Sequence, residues 1–280
     1  MNAVVRWLAR CLLSKRQALR IPISTPEAAY RLRDGASVAL LDPSMDEIAR
    51  SVYWGGGKPV SPAERQALDC VEILSRNART FLDVGSYSGL FALLAARSNP
   101  DVHAVAFEIV PENYLLIVRN IIHNDLVGRV EARLCGLAEE PGAITMPQAL
   151  KLDRLASSMS IGSSFESGVR IPLTTLDEAV ADLAGPFVMK IDVEGFEAQV
   201  LRGGRGFLEQ HRPDVICEVL PGSHDFDEVE KMLSGLGYRF FLFTEGAIRP
   251  LEHIRPTREG RDWLFSTDPE NLLSAMSGLR

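Results

Sequence analysis

Seven short apolar runs, most of them separated by stretches of helical spacing, constrain this chain more than any other feature. They lie at residues 80–84, 102–107, 130–135, 187–191, 215–219, 238–243 and 263–266. Runs of this length are too short for buried helices but suit strands buried on both faces. Strands alternating with helices form βαβ crossovers, which give a mainly parallel sheet with helices on both faces. No helical pattern separates the last two runs, so the sheet is expected to end in an antiparallel pair. The expected fold is therefore α/β: a Rossmann-like sheet of seven strands, mostly parallel, with an antiparallel last strand.

The boundary of this pattern is marked on its N-terminal side. Ser61, Pro62 and Glu64 form a helix start, with Ser61 as cap, Pro62 in the first turn and Glu64 completing a capping box. Residues 61–280 are read as the sheet domain and residues 1–60 as a helical or irregular extension. Within the extension, Pro22, Pro26, Pro43 and Pro59 argue against regular structure between 21 and 60. Gly55, Gly56, Gly57 and Lys58 do not make a phosphate loop, because Pro59 stands where a Ser or Thr is needed. They are read as a flexible turn or lid. The first 20 residues mix Val4, Val5, Leu8, Leu12 and Leu13 with Arg6, Arg10, Lys15 and Arg16. Such a basic amphipathic segment can lie on an anionic membrane. Packing on the domain or on a second copy in a homo-oligomer is the preferred reading.

Charge and cysteine usage narrow the function. The chain carries a net charge of −7 and gathers no Lys/Arg stripe, which argues against a nucleic-acid substrate. Cys11, Cys70, Cys135 and Cys217 form no CxxC pair, so neither zinc nor a redox dithiol is indicated. Reduced core thiols suit a cytoplasmic location.

Three groups of residues carry chemistry. Asp83, Gly85, Ser86, Tyr87 and Gly89 lie in a turn after the first run, where an open α/β sheet binds ligands. The Gly-x-x-x-Gly spacing is not that of a pyrophosphate cradle, and Asp83 favours a cationic ligand, such as an amino group. Glu108 ends the second run, where a carboxylate can accept both ribose hydroxyl hydrogens. Together these point to an adenosyl group with a methionyl amine. The third group is Lys190, Asp192 and Glu194, a charged cluster closing the fourth run; it must meet a partner or a ligand to offset its desolvation. Asp192 is the first candidate for a general base, then Glu194, then His224. Asp192 and Glu218 at neighbouring strand ends could hold magnesium, but without a third ligand no metal is assigned. Asn120 and Asn124 are read as capping a helix end rather than lining the site.

These segments resemble the FkbM family of methyltransferases. The resemblance rests on FLDVGSYSGLFALLAA, AFEIVPENYLLIVRNIIHND, PLTTLDEA, VMKIDVEGFEAQVLRGG and ICEV, and it covers about two-thirds of the chain. It implies the class I methyltransferase sheet, S-adenosyl-L-methionine as cofactor, and O-methylation of a hydroxyl on a sugar, glycan or secondary metabolite. It also implies Asp83, Gly85 and Glu108 as cofactor contacts. Two positions depart from the family pattern. Tyr87 is bulkier than the Asn often found there, and Cys135-Gly136-Leu137 replaces a small Ala-Leu-Gly type run, which bears on Leu137 and Glu139 as adenine contacts. Two alternatives stay open: a protein that binds the cofactor without catalysis, and a nicotinamide-dependent oxidoreductase.

Overall fold

The computed structural model describes residues 20–147, 159–163, 165–220, 226–244 and 247–277. In chain order the elements are β1 (Glu27–Arg31), β2 (Ser37–Leu41), α1 (Glu47–Trp54), α2 (Pro62–Leu74), β3 (Thr80–Val84), α3 (Leu90–Ser98), β4 (His103–Glu108), α4 (Pro111–His123) and β5 (Val130–Leu134). Then come β6 (Gly136–Leu137), β7 (Gly142–Met146), β8 (Val169–Thr174), α5 (Leu176–Ala179), β9 (Phe187–Ile191), α6 (Glu197–Arg202) and α7 (Arg205–His211). The series closes with β10 (Asp214–Glu218), α8 (Phe226–Gly235), β11 (Arg239–Phe243), β12 (Ile248–Leu251), β13 (Asp262–Ser266) and α9 (Glu270–Ser277).

All seven apolar runs are strands of one sheet, ordered β12-β11-β13-β10-β9-β3-β4-β5. β3, β4, β5, β9 and β10 pair in parallel, and β13 lies antiparallel between β10 and β11. The sheet has eight strands rather than seven. The eighth, β12, pairs antiparallel with β11 and carries Arg249 and Pro250 on an exposed edge. A charge and a proline on a short edge strand discourage further pairing, and they also remove the apolar signature of a strand.

Side chains alternate between the two faces, as a period of two requires. Phe81, Val188 and Ile216 join one buried cluster with α2, α3 and α4. Leu82, Met189 and Cys217 join the other, with α5 to α8. The chain turns both ways from β3, to β4 on one side and to β9 on the other. That reversal of strand order leaves a crevice at the carboxyl ends of β3, β4 and β9.

Residues 27–54 are regular, not irregular: β1 and β2 form an antiparallel hairpin, and α1 follows. Tyr30, Val38 and Leu40 are fully buried in the first cluster, so the hairpin packs on the sheet domain. Its second strand is held by two side-chain amides of α4. Asn124 Oδ1 accepts from Ala39 N at 2.8 Å and its Nδ2 donates to Ala39 O at 2.8 Å; Asn120 Oδ1 accepts from Leu41 N at 3.0 Å. Asn124 also ends α4, its Nδ2 donating to Asn120 O, so the capping role stands beside a second one. Lys58 is neither on a phosphate loop nor on a free lid. Its ammonium donates to the Tyr30 hydroxyl at 2.8 Å and pairs with Asp69 at 3.3 Å, fixing the turn that follows α1. The first 19 residues lie outside the described residues. No described helix is long and apolar enough to cross a membrane.

Candidate active site

The turn after β3 is shaped from below by Asp83. Its carboxylate is buried; Oδ2 accepts from Ser86 Oγ at 2.6 Å and from Ala92 N at 3.1 Å. Burial pushes the carboxyl up to about 6, against the pull of those two hydrogen bonds. Asp83 and Ser86 therefore brace the turn, and neither lines the cleft above it. Gly89 caps α3 at φ 85°, close against Ile117 of α4.

Gly85 has φ 79°, and a Cβ there would stand 1.8 Å from the carbonyl oxygen of Asp192. The turns after β3 and β9 touch through this missing side chain. Gly85→Ala combines a left-handed backbone with a collision against main chain, so it is expected to cost about 2–3 kcal/mol. Urea unfolding of the two proteins measures the loss.

Two clefts open on either side of this contact. The first, about 500 Å³, is lined by Gly85, Phe107, Glu108, Leu137, Ile161 and Asp192 among others. Glu108 is buried, and three amides point at its carboxylate. Oε2 accepts from Tyr87 N at 2.8 Å; Oε1 accepts from Ile109 N at 2.9 Å and Val110 N at 2.8 Å. The side chain of Asn113 hydrogen-bonds the same carboxylate, so its roughly four lone-pair sites are met and a ligand hydroxyl must share or displace one of these donors. Burial pushes Glu108 up to about 7, with the amides of Val110, Tyr87 and Ile109 opposing.

The second cleft, about 730 Å³, is lined by Glu47, Ile48 and Ser51 of α1, by Glu64 of α2, and by Gly85, Tyr87, Asp192 and Glu194. The last four residues also line the first cleft. Tyr87, at φ 56°, ties the clefts together: its hydroxyl accepts from Glu47 N at 3.2 Å, at the start of α1.

The charged cluster after β9 is denser than its sequence suggests. Lys190 is 2% exposed, and its ammonium lies 3.2 Å from Asp192 Oδ2 and 3.8 Å from Asp262 Oδ1. Desolvation works against its charge but is outweighed by Asp192, Asp262 and Glu218, so the lysine is held above its ordinary range. Glu194 is pushed up by burial and then by the like charges of Asp192 and Glu197. Glu218 is also pushed up, by burial first and then by Asp192.

Glu197 carries no signal in the sequence. It is fully buried, and Oε1 accepts from Val193 N at 3.0 Å and Gly195 N at 3.1 Å. A glutamate in the first turn of a helix looks like an ordinary dipole partner, so no pattern singles it out. Met159, Ser160 and Ile161, between β7 and β8, also line the first cleft. Leu137 is buried on its wall, whereas Glu139 lies outside it and pairs with Arg202 at 2.8 Å. His224 lies outside the described residues.

Known proteins carry the same arrangement of sequence. Residues 83–240, more than half of the chain, match the Methyltransferase FkbM domain family. Methyltransferase sdnD of Sordaria araneosa is 25% identical over 203 residues, 60% of this chain and 77% of that protein. The 31-O-demethyl-FK506 methyltransferase FkbM of Streptomyces tacrolimicus is 26% identical over 190 residues, 56% of this chain and 71% of that protein. Among solved structures, methyltransferase FkbM of Methylobacillus flagellatus aligns over 77% of this chain and 65% of its own, at 14% identity and a TM-score of 0.47. The chain belongs to the FkbM family of methyltransferases.

Proposed function

We propose that the chain transfers a methyl group from S-adenosyl-L-methionine to a hydroxyl of a sugar, glycan or secondary metabolite. The observation that carries this reading is the pair of clefts meeting at Gly85, Tyr87, Asp192 and Glu194. One suits a nucleoside: the Glu108 carboxylate on its wall takes a ribose hydroxyl in exchange for one of its present donors, and Phe107, Leu137 and Ile161 offer apolar walls to a purine. Bound there, the cofactor supplies an electrophilic methyl group. In the other cleft, α1 and α2 hold the acceptor against the shared wall. Holding reacting atoms about 3 Å apart supplies much of the acceleration in such a displacement. Asp192 then takes the acceptor proton as the new bond forms, with Lys190 balancing its charge.

The second cleft also limits the acceptor. Glu47, Glu64, Asp192 and Glu194 line it, and no Lys or Arg is among its described lining residues. Such a field repels phosphate and carboxylate groups and suits a neutral polyol. The described cysteines are free, in keeping with a reducing cytoplasm. Incubating the protein with methyl-labelled cofactor and a cell extract tests the reading, with labelled products identified by mass spectrometry. A labelled hydroxyl supports it. Cofactor binding without any product would favour a non-catalytic binder, and binding of NADH alone would favour the oxidoreductase.

Glu108 also sets a pH dependence. A hydroxyl donated to its carboxylate favours the ionised form, so cofactor affinity is expected to fall as pH drops below about 7. Without ligand the sign for stability is opposite. The folded protein keeps a proton that the unfolded chain releases near 4.5, so Glu108 contributes less stability as pH rises from there to about 7. Calorimetric titration at pH 6 in two buffers of different ionisation enthalpy should register proton release on binding.

A further inference from the structure

We propose that Asp192, Glu197 and Glu218 bind one divalent cation of the oxygen-preferring class, magnesium or manganese, beside the acceptor cleft. One carboxylate oxygen from each residue lies within 4.8 Å of the other two. Opposite ligands around an ion with metal–oxygen distances of about 2.1–2.4 Å are separated by that much or slightly less, so a single ion can touch all three. The sequence offered only Asp192 and Glu218; Glu197 is the third ligand that pairing lacked.

A second observation is independent of the clustering. Glu197 is 0% exposed, and its Oε2 has no hydrogen-bond partner among the described residues. Its Oε1 is taken by Val193 N and Gly195 N, which fixes the carboxylate and leaves the other oxygen buried and unmet. A buried carboxylate oxygen without a donor is costly, and a cation removes that cost.

Lys190 does not fill the role. Its ammonium donates to Asp192 Oδ2 at 3.2 Å and Ile191 O at 3.3 Å, and it faces Asp262 Oδ1 at 3.8 Å as an ion pair. None of these contacts reaches Glu197, whose Oε2 stays without a partner among the described residues. Arg261 reaches only the Glu218 side, at 3.9 Å. Asp192, Glu194, Glu197, Glu218 and Asp262 thus outnumber the two cations among them. All three proposed ligands are hard oxygens with no His or Cys, which selects magnesium or manganese over zinc. Water would complete the coordination, as magnesium sites commonly allow.

The test reads binding alone, in the absence of cofactor and acceptor. The full chain, stripped with EDTA, is titrated with manganese chloride, and free ion is followed by electron paramagnetic resonance. One site per chain is expected, displaced by magnesium. Glu197→Gln and Glu218→Gln should each weaken it at least tenfold, while Glu139→Gln, at a remote exposed carboxylate, leaves it unchanged. In Glu197→Gln the new amide carbonyl can still accept from Val193 and Gly195, and circular dichroism checks the fold of each variant. If Glu197→Gln unfolds, Glu218→Gln alone decides the outcome. Absence of a site in the wild-type protein at millimolar manganese, or equal binding by all variants, overturns the proposal. Because no methyl transfer is measured, failure here leaves the proposed activity standing, and the reverse also holds.

Discussion

Glu108→Ala is expected to weaken S-adenosyl-L-methionine binding by about 100-fold, a loss of about 3 kcal/mol. Two effects add. The variant removes the buried carboxylate proposed to accept a ribose hydroxyl, a charge-assisted bond. It also leaves the amides of Tyr87, Ile109 and Val110 without their acceptor, so the turn carrying Gly85 loses its brace on the β4 side. Glu108→Gln separates the two. Its single carbonyl oxygen can keep part of the amide set, but the charge is gone, so a loss of about tenfold is expected with most of the thermal stability kept. The pH dependence of binding near 7 should vanish in both variants. Calorimetric titration at pH 6 and at pH 8, with melting curves alongside, reads all of these. Wild-type affinity in Glu108→Gln, with its pH dependence intact, would remove Glu108 from the cofactor site.

The parts of this fold that were legible share one cause. Strands buried on both faces must be apolar throughout, so all seven runs announced themselves, as did the Ser61 cap, whose side chain accepts from Glu64 N. What stayed hidden was buried on one side only or held by side chains. The β1–β2 hairpin exposes alternate residues, and β2 takes its outer hydrogen bonds from Asn120 and Asn124, far along the chain. Strand β12 is polar because it is an edge. In the site, the turn-bracing bonds of Asp83 Oδ2 to Ser86 and Ala92 had no signature in the sequence. The walls of both clefts come from segments brought together only by the fold: α1 from the extension, and residues 159–161 from the chain between β7 and β8. Sequence order carries no record of such neighbours.

Asp192→Asn is expected to lower the methyl-transfer rate by about 10²- to 10⁴-fold while cofactor affinity changes by no more than a few fold. Asp192 stands on the wall common to both clefts, where an acceptor hydroxyl and the cofactor must meet. Asparagine preserves its volume but cannot accept a proton, and Glu108, the residue assigned to the ribose, is untouched. Lys190 loses its nearest partner but keeps Asp262 at 3.8 Å, so the fold should survive, which thermal melting checks. Single-turnover transfer to the acceptor found by labelling gives the rate directly. A rate within threefold of wild type would move the base to Glu194 or to a residue outside the described segments. The proposed cation gives a second discriminant, because Asp192 would also be one of its ligands. Loss of a ligand weakens the ion and is recovered, at least in part, by excess manganese, whereas loss of a proton acceptor is not. A defect that persists at saturating manganese, with wild-type cofactor affinity, assigns Asp192 to the proton; one that disappears assigns it to the metal.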